Sequence, residues 1–96
     1  MRAIRRTKRF KRDYKREKSG RYGNTLDALL RKVLELLAVD LPLPHHNFDH
    51  PLTGDWVDHR DCHIKPDLVL IYRKPDDEHL DLVRLASQRD RFVNSK

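Results

Sequence analysis

The chain has 96 residues, which predicts one domain (residues 1–96) with a single modest core. Of these residues 38% are charged, and the formal net charge of +6 predicts a polyanionic partner, either nucleic acid or an acidic protein. No apolar run approaches the ~20 residues of a membrane span, and the basic N-terminus lacks the apolar region of a signal peptide. The single cysteine, Cys62, cannot form an internal disulfide, so we expect a soluble cytoplasmic protein without a membrane partner.

The first 21 residues are strongly basic, with eleven lysines and arginines against two acids, Asp13 and Glu17. Thr7 is a candidate N-cap of a helix in which Phe10 and Tyr14, four residues apart, face the core. The basic side chains that would cover the exposed face of this helix are Lys8, Arg9, Lys11, Arg12, Lys15 and Arg16. Such runs are most often solvated helix faces, but this density of one sign favours a surface that binds phosphates without reading sequence.

A second helix is predicted by a 3.6-residue repeat of leucine and valine. Residues 19–23 would end the first helix, and Asn24 or Thr25 would cap the second, with Asp27 in its first turn. The repeat consists of Leu26, Leu29, Leu30, Val33, Leu34, Leu36 and Leu37. We assign it to the core, without a catalytic role. Residues 41–44 contain two prolines and predict an extended linker.

The C-terminal half combines polar chemistry with strand-forming sequence. A polar loop at residues 49–54 is followed by a segment with some strand character at 56–64 and a short apolar run at 68–72, which predicts a buried strand. Residues 73–78 predict a hairpin turn and residues 79–86 a further strand. Simple alternation along that strand places Arg84 on the same face as Leu80 and Leu82.

Ordered blocks in this half resemble the YafQ branch of the RelE superfamily, the toxins of bacterial toxin–antitoxin pairs. Residues 49–56 match its D-H-x-L-x-G-x-W block, and residues 60–63 match R-[DE]-x-H. Residues 66–72 match P-D-x-x-L-I-Y, and an arginine, Arg84, precedes an aromatic residue, Phe92. The blocks cover the C-terminal half in detail, and the chain as a whole fits the family in length and layout.

The resemblance implies an α+β, RelE-like fold, with two N-terminal helices packed on a mainly antiparallel sheet of about four strands. It implies a toxin endoribonuclease that enters the ribosomal A site and cleaves mRNA through the RNA 2′-hydroxyl, with no metal or other cofactor. The implied partners are a cognate antitoxin protein, the ribosome with its mRNA, and operator DNA bound through the antitoxin.

This cleavage needs one group to remove the 2′ proton, another to protonate the leaving 5′ oxygen, and a cation to stabilise the charged phosphorane. Histidine suits proton transfer near neutral pH, and arginine offers a charged fork for phosphate oxygens. The resemblance implies that His50, His63 and Asp67 are acid–base residues and that Arg84 contacts the scissile phosphate. Arg60 is a further candidate cation for RNA.

One departure from the family pattern is Gln88, which stands where the family usually has a histidine, four residues after Arg84. Glutamine can hydrogen-bond a phosphate but cannot transfer a proton near pH 7. We therefore expect either an enzyme of reduced activity or, alternatively, a catalytically inactive RelE-fold protein that only binds antitoxin and RNA. Phe92 could stack on an RNA base, or equally anchor the tail in the core.

A metal site is the third alternative, in a zinc-binding DNA or RNA module. The candidate ligands are His45, His46, His50, His59, Cys62 and His63. His59 and His63 have an interval found in zinc sites, but in one strand they would lie ~13 Å apart. We therefore expect no metal at these residues.

Overall fold

The computed structural model describes residues 1–87, which form two helices on one face of a five-stranded mixed sheet. The elements are β1 (Ala3–Arg6), α1 (Lys8–Lys18), α2 (Gly23–Ala38), β2 (His50–Pro51), β3 (Arg60–Lys65), β4 (Leu68–Arg73) and β5 (His79–Ser87). Single 3₁₀ turns at His45–Asn47 and Gly54–Trp56 flank β2. None of the helices in this part of the chain is long and apolar enough to cross a membrane.

The sheet has the order β1-β5-β4-β3-β2, with β1 parallel to β5 and every other pairing antiparallel. This confirms the predicted α+β fold and its mainly antiparallel sheet, with five strands instead of about four. Strand β2 is only two residues long and lies within the segment predicted as a polar loop. Local sequence gives little sign of a strand this short, because its pairing with β3 depends on residues about ten positions away.

The core lies between the helices and one face of the sheet. Four residues of the α2 repeat are buried as predicted, and Phe10 joins them from α1. The other three, Leu29, Leu34 and Leu36, are half-buried. Burying one such side chain contributes about 1.5–3 kcal/mol. The buried positions of the core are Phe10, Leu26, Leu30, Val33, Leu37, Cys62, Ile64, Leu68, Leu70, Tyr72, Leu80, Leu82 and Leu85. This core fixes β3, β4 and β5 as a rigid platform.

The two helices begin in different ways. Thr7 caps α1 as predicted, because its side-chain oxygen accepts from the backbone N–H of Phe10 at 3.0 Å. The predicted cap of α2 is wrong: the helix begins at Gly23, before Asn24 and Thr25. A Cβ at Gly23 would lie 2.2 Å from the backbone oxygen of Lys18, so the close approach of α1 requires glycine here.

A bulge in β5 changes which residues face the core. Ile71 pairs with Arg84, but the next residue of β4, Tyr72, pairs with Leu82. Because one residue of β5 is left without a partner in the register, the alternation shifts by one position. Leu85 therefore joins Leu82 in the core, and the prediction that Arg84 shares their face is wrong.

Helix α1 also completes the edge of β5 where β1 ends. β1 pairs with β5 as far as Leu82. From this point Thr7 and the side chains of α1 supply the hydrogen-bond partners of the β5 backbone. The backbone N–H of Thr7 donates to the Leu82 carbonyl at 3.1 Å. The Asp13 carboxylate accepts from the Leu85 N–H at 2.9 Å, and Arg16 donates to the Leu85 carbonyl at 3.1 Å. Side chains of a helix thus satisfy backbone groups that a neighbouring strand would otherwise pair.

Candidate active site

Several polar side chains lie on the face of the sheet opposite the core, around the buried side chain of Ile71. His50 on β2 pairs with Asp61 on β3, Asp61 with Ile71 on β4, and Ile71 with Arg84 on β5. Residues directly opposite each other project from the same face, so these four form a row across the sheet. His63 lies two residues after Asp61 and shares the face. Three of the predicted site residues, His50, His63 and Arg84, therefore lie on one surface.

Each ring nitrogen of His50 lies close to an oxygen atom. Its Nδ1 lies 2.7 Å from the carbonyl oxygen of Phe48, and its Nε2 lies 3.0 Å from Oδ1 of Asp61. A carbonyl oxygen can only accept a hydrogen bond, so Nδ1 carries a proton. The contact with Asp61 is an ion pair by distance and not a hydrogen bond, because Oδ1 of Asp61 has no hydrogen-bond partner within residues 1–87. The arrangement therefore places a buried carboxylate oxygen beside Nε2 of His50.

Asp61 is a buried carboxylate that the sequence analysis did not select. Burial raises the pKa of Asp61. Positive charge on His50, and to a smaller extent on His63, opposes that rise. The sequence does contain a signal for Asp61, because an aspartate two residues before His63 in a strand must lie on the same face as that histidine. Asp61 therefore interacts electrostatically with both candidate histidines.

His63 is oriented so that one ring nitrogen remains accessible for proton transfer. Its Nδ1 lies 3.0 Å from the carbonyl oxygen of Pro66, which fixes the neutral ring with its proton on Nδ1. The lone pair of Nε2 then has no hydrogen-bond partner within residues 1–87. The backbone carbonyl of His63 accepts from the Asn47 side chain at 2.7 Å. A half-exposed imidazole held this way can act as a general base.

Asp67 lies in the turn between β3 and β4, directly after Pro66. It accepts a 2.5 Å hydrogen bond from the hydroxyl of Tyr22, and Arg21 lies 3.9 Å from its other oxygen. The Tyr22 ring has the cations of Arg21 and Lys65 each 5.2 Å from its centroid. The loop between the helices therefore supports the turn that carries Asp67, a contact between distant segments that no local pattern indicates.

The two candidate arginines are held by carboxylates. Arg60 donates to Asp49 at 3.2 Å, and the hydroxyl of Tyr72 donates to the same oxygen at 2.6 Å. Arg84 donates through Nε to the buried carboxylate of Asp13 at 2.7 Å, on the side of β5 opposite β4. The four-strand row places the Cα of Arg84 about 14 Å from that of His50, three strand spacings away. The structure therefore does not bring Arg84 into contact with the histidines.

The basic face of α1 is exposed as predicted. Within residues 1–87, five of its six cations have no hydrogen-bond or ion-pair partner. These five are Lys8, Arg9, Lys11, Arg12 and Lys15. Arg16 differs, because it contacts Asp13, Glu17 and the Leu85 carbonyl. Unpaired lysines and arginines on one helix face present charge to a polyanion.

Two predicted site residues, Gln88 and Phe92, lie outside the described residues. Across residues 1–87, no group of three or more histidine, cysteine, aspartate or glutamate side chains is arranged to hold a metal ion. Cys62 is buried in the core, and burial raises the pKa of its thiol. Cys62 is therefore a packing residue and not a reactive thiolate.

Comparison with known proteins identifies the family. Residues 2–92 match the family described as a bacterial toxin of type II toxin–antitoxin systems, YafQ. Over 36 residues the chain is 53% identical to the mRNA interferase toxin YafQ of Escherichia coli strain K12, covering 38% of this chain and 39% of that protein. The chain spans less than half the length of the curated relatives it matches.

Solved structures agree over nearly the whole chain. A copper-bound mutant toxin from Helicobacter pylori is similar with a TM-score of 0.82 and 35% identity, covering 96% of this chain and 100% of that one. The YafQ chain of the E. coli DinJ–YafQ complex has a TM-score of 0.78 and 33% identity, covering 96% and 99%. The chain therefore belongs to the YafQ family of toxins from type II toxin–antitoxin systems.

Proposed function

We propose that this protein is an endoribonuclease toxin that cleaves mRNA on the ribosome. The observation that carries the proposal is the geometry of His63, whose Nδ1 is fixed on the Pro66 carbonyl while Nε2 is left without a partner within residues 1–87. The family match supports a toxin, and the E. coli relative is named an mRNA interferase. The basic face of α1 supports a ribosomal RNA partner, because it is dense in unpaired positive charge.

In the reaction, Nε2 of His63 accepts the proton of the RNA 2′-hydroxyl, and the resulting oxygen nucleophile attacks the adjacent phosphorus. The bond from phosphorus to the 5′ oxygen then breaks. The products are a 2′,3′-cyclic phosphate and a 5′-hydroxyl, and neither a metal ion nor a cofactor takes part. A positioned general base of this kind contributes about 10²–10⁴-fold to the rate.

His50 supplies the proton for the leaving 5′ oxygen. Its Nδ1 is held by the Phe48 carbonyl, which leaves Nε2 as the ring atom from which an imidazolium at this position donates. Donation from Nε2 requires its contact with Asp61 to break as RNA binds. Asp67 supports the site from the neighbouring turn, where it follows the residue whose carbonyl orients His63.

Arg84 contacts the scissile phosphate in this proposal, with Arg60 as a second cation. Both guanidinium groups are held by carboxylates in the free protein, Arg84 by Asp13 and Arg60 by Asp49. A phosphate would compete with these carboxylates for the same fork of donors. Gln88 and Phe92 complete the proposed set as a phosphate hydrogen-bonding residue and a base-stacking residue.

The protein partner in this proposal is a cognate antitoxin, as in the DinJ–YafQ complex of E. coli. An acidic antitoxin segment would neutralise the basic face of α1 and block the access of RNA. The complex would bind operator DNA through the antitoxin.

The proposal is tested by incubating the purified protein with a defined mRNA, with and without programmed ribosomes. We expect cuts within the A-site codon only when ribosomes are present, and cyclic phosphate at the new 3′ ends. An mRNA with a 2′-deoxy nucleotide at the cut site should resist cleavage, because it lacks the nucleophile. Cleavage of that mRNA at the same bond would overturn the mechanism. EDTA, with magnesium restored before ribosomes are added, should leave the toxin's activity unchanged.

A second candidate is a protein that binds antitoxin and RNA but does not cleave. Two features favour it: Nε2 of His50 faces a carboxylate oxygen of Asp61 at 3.0 Å, and Arg84 is held by Asp13 away from the histidines. The substitution Gln88→His separates the two candidates. A gain of about 10²–10⁴-fold in cleavage indicates an intact site that lacks one acid–base group. Absence of cleavage in both proteins supports the binding protein.

A further inference from the structure

Phe48 is an exposed aromatic residue beside both candidate catalytic histidines. Its relative exposure is 64%, whereas the other aromatic residues within residues 1–87 are buried or half-buried. A single exposed apolar side chain is ordinary on a protein surface. Phe48 differs from an ordinary case in the backbone that presents it and in the groups that surround it.

The backbone of Phe48 is held in an unfavourable conformation. Its φ of 47° and ψ of 48° lie in the left-handed region, which bulky residues rarely adopt. The Phe48 N–H donates to the His45 carbonyl at 3.0 Å, and the Phe48 carbonyl accepts from Nδ1 of His50 at 2.7 Å. The preceding residue, Asn47, is buried and bonds the His63 carbonyl. Strain of this kind persists where the surrounding structure imposes it, often at functional sites.

The ring of Phe48 lies next to His63. The two ring centroids are 5.5 Å apart with an interplanar angle of 65°, so the phenyl and imidazole rings meet edge to face. This contact leaves most of the phenyl ring open to solvent. A groove of about 440 Å³ adjoins it, within the size range of small-ligand clefts. The groove is lined by Pro42, Leu43, Pro44, His45, Phe48 and Asp49.

We propose that Phe48 stacks on a nucleobase of the bound RNA, beside the phosphate on which His63 acts. The proposal rests on the proposed function and adds a base-binding position to it. Proteins that bind single-stranded RNA commonly stack splayed-out bases on exposed aromatic side chains. An RNA strand whose 2′-hydroxyl reaches Nε2 of His63 must pass within a few ångströms of the phenyl ring. The fixed backbone of Phe48 and the contact of its ring with His63 restrict the ring before RNA arrives, which reduces the entropy lost on binding.

The test compares Phe48→Ala, Phe48→Leu and Phe48→Tyr with Val57→Ala, a control whose parent side chain is also 64% exposed. We expect kcat/KM on programmed ribosomes to fall about 10- to 100-fold for the alanine and leucine variants, because an aromatic ring is needed for stacking. The tyrosine variant should stay within about 3-fold of the parent, and Val57→Ala should match it. Full activity of Phe48→Leu would overturn the proposal, because leucine covers His63 without stacking.

A second readout does not depend on cleavage. Ribosomes are programmed with mRNA that carries 5-iodouridine in the A-site codon, and irradiation then links the iodinated base to a stacked aromatic side chain. We expect peptide mapping to find the crosslink at Phe48, and its loss in Phe48→Leu. A parent protein that crosslinks at Phe48 without cutting would contradict the proposed cleavage but support the stacking. A parent that cuts but forms no crosslink at Phe48 would overturn the stacking alone.

Discussion

The carboxylate of Asp13 is buried against the guanidinium of Arg84, with Oδ2 of the aspartate 2.7 Å from Nε of the arginine. The same oxygen accepts the backbone N–H of Leu85 at 2.9 Å, and Oδ1 lies 3.2 Å from Arg16. One side chain in the middle of the basic helix therefore joins α1 to β5 and holds a proposed phosphate-binding residue. The stability of the fold and the position of the proposed site depend on the same ion pair.

Asp13→Ala should strongly destabilise the protein. The side chain of Arg84 is 14% exposed, and the substitution removes the buried carboxylate that accepts from its Nε and from the Leu85 N–H. Breaking one side of a buried ion pair costs about 3–5 kcal/mol in the free energy of unfolding. Urea unfolding monitored by circular dichroism measures this quantity, with Asp77→Ala, an exposed carboxylate, as the control. A loss of stability below about 1 kcal/mol would show that the pair is not needed for the fold.

Tyr22→Phe should reduce cleavage by about 3- to 10-fold. The variant lacks the hydroxyl that donates to Asp67, so the turn carrying Asp67 loses a support while the ring remains. A hydrogen bond to a charged group contributes about 1.5–3 kcal/mol at most, less where it is partly exposed. The matched control is Tyr14→Phe, which removes a hydroxyl bonded to Asp27 away from the site. Equal cleavage by the two variants would contradict a role for Tyr22 in the site.

Asp61→Asn should affect stability and activity in opposite directions at neutral pH. Burial raises the pKa of Asp61 in the folded state, so its ionisation disfavours folding as the pH rises through that pKa. Asparagine removes this cost. The variant should therefore be more stable than the parent at pH 7 but not below about pH 3, where the carboxyl group is largely protonated in both the folded and the unfolded chain. Cleavage should fall because asparagine removes the negative charge that lies 3.0 Å from Nε2 of His50.

The measurements for Asp61→Asn are urea unfolding at about pH 3 and about pH 7 and cleavage at neutral pH. Asp58→Asn, which changes an exposed carboxylate, is the control. A variant less stable than the parent at neutral pH would show that the interaction between His50 and Asp61 outweighs the cost of burial. That result would reverse the sign of the predicted change.

Neutralising the basic face of α1 should weaken ribosome binding in a salt-dependent way. The variant Lys8→Gln/Lys11→Gln/Lys15→Gln removes three cations that have no partner within residues 1–87. The slope of log affinity against log salt should become shallower by roughly 0.7–0.9 for each phosphate that the variant no longer neutralises. Arg31→Gln/Lys32→Gln, on the exposed face of α2, should leave the slope unchanged. Equal slopes for the two variants would indicate that α1 does not bind RNA.

Local sequence patterns predicted those parts of the fold that depend on nearby residues. The leucine repeat predicted α2, Thr7 predicted the start of α1, and the apolar run predicted β4. The parallel pairing of β1 with β5 joins strands at opposite ends of the described chain and leaves no local sign. The bulge in β5 likewise leaves no local sign, because the register of this strand is set by its contacts with β4 and α1 and not by alternation within the strand.

The candidate site was predicted in part, and for a similar reason. The blocks of the C-terminal half identified His50 and His63, which the structure places on one face of the sheet. They did not identify Asp61 or Phe48, whose positions follow from strand pairing and from the turn before β2. Asp13 lies in a strongly basic helix, and no local pattern predicts that it is buried against β5.

The central claim is that His63 is the general base, and one comparison tests it most directly. Cleavage of a defined mRNA on programmed ribosomes is measured for the parent, for His63→Ala, and for His46→Ala, which alters an exposed histidine outside the site. We predict that His63→Ala lowers the single-turnover rate by about 10²–10⁴-fold, that its circular dichroism spectrum is unchanged, and that His46→Ala behaves as the parent. Cleavage by His63→Ala at the parental rate would contradict the account.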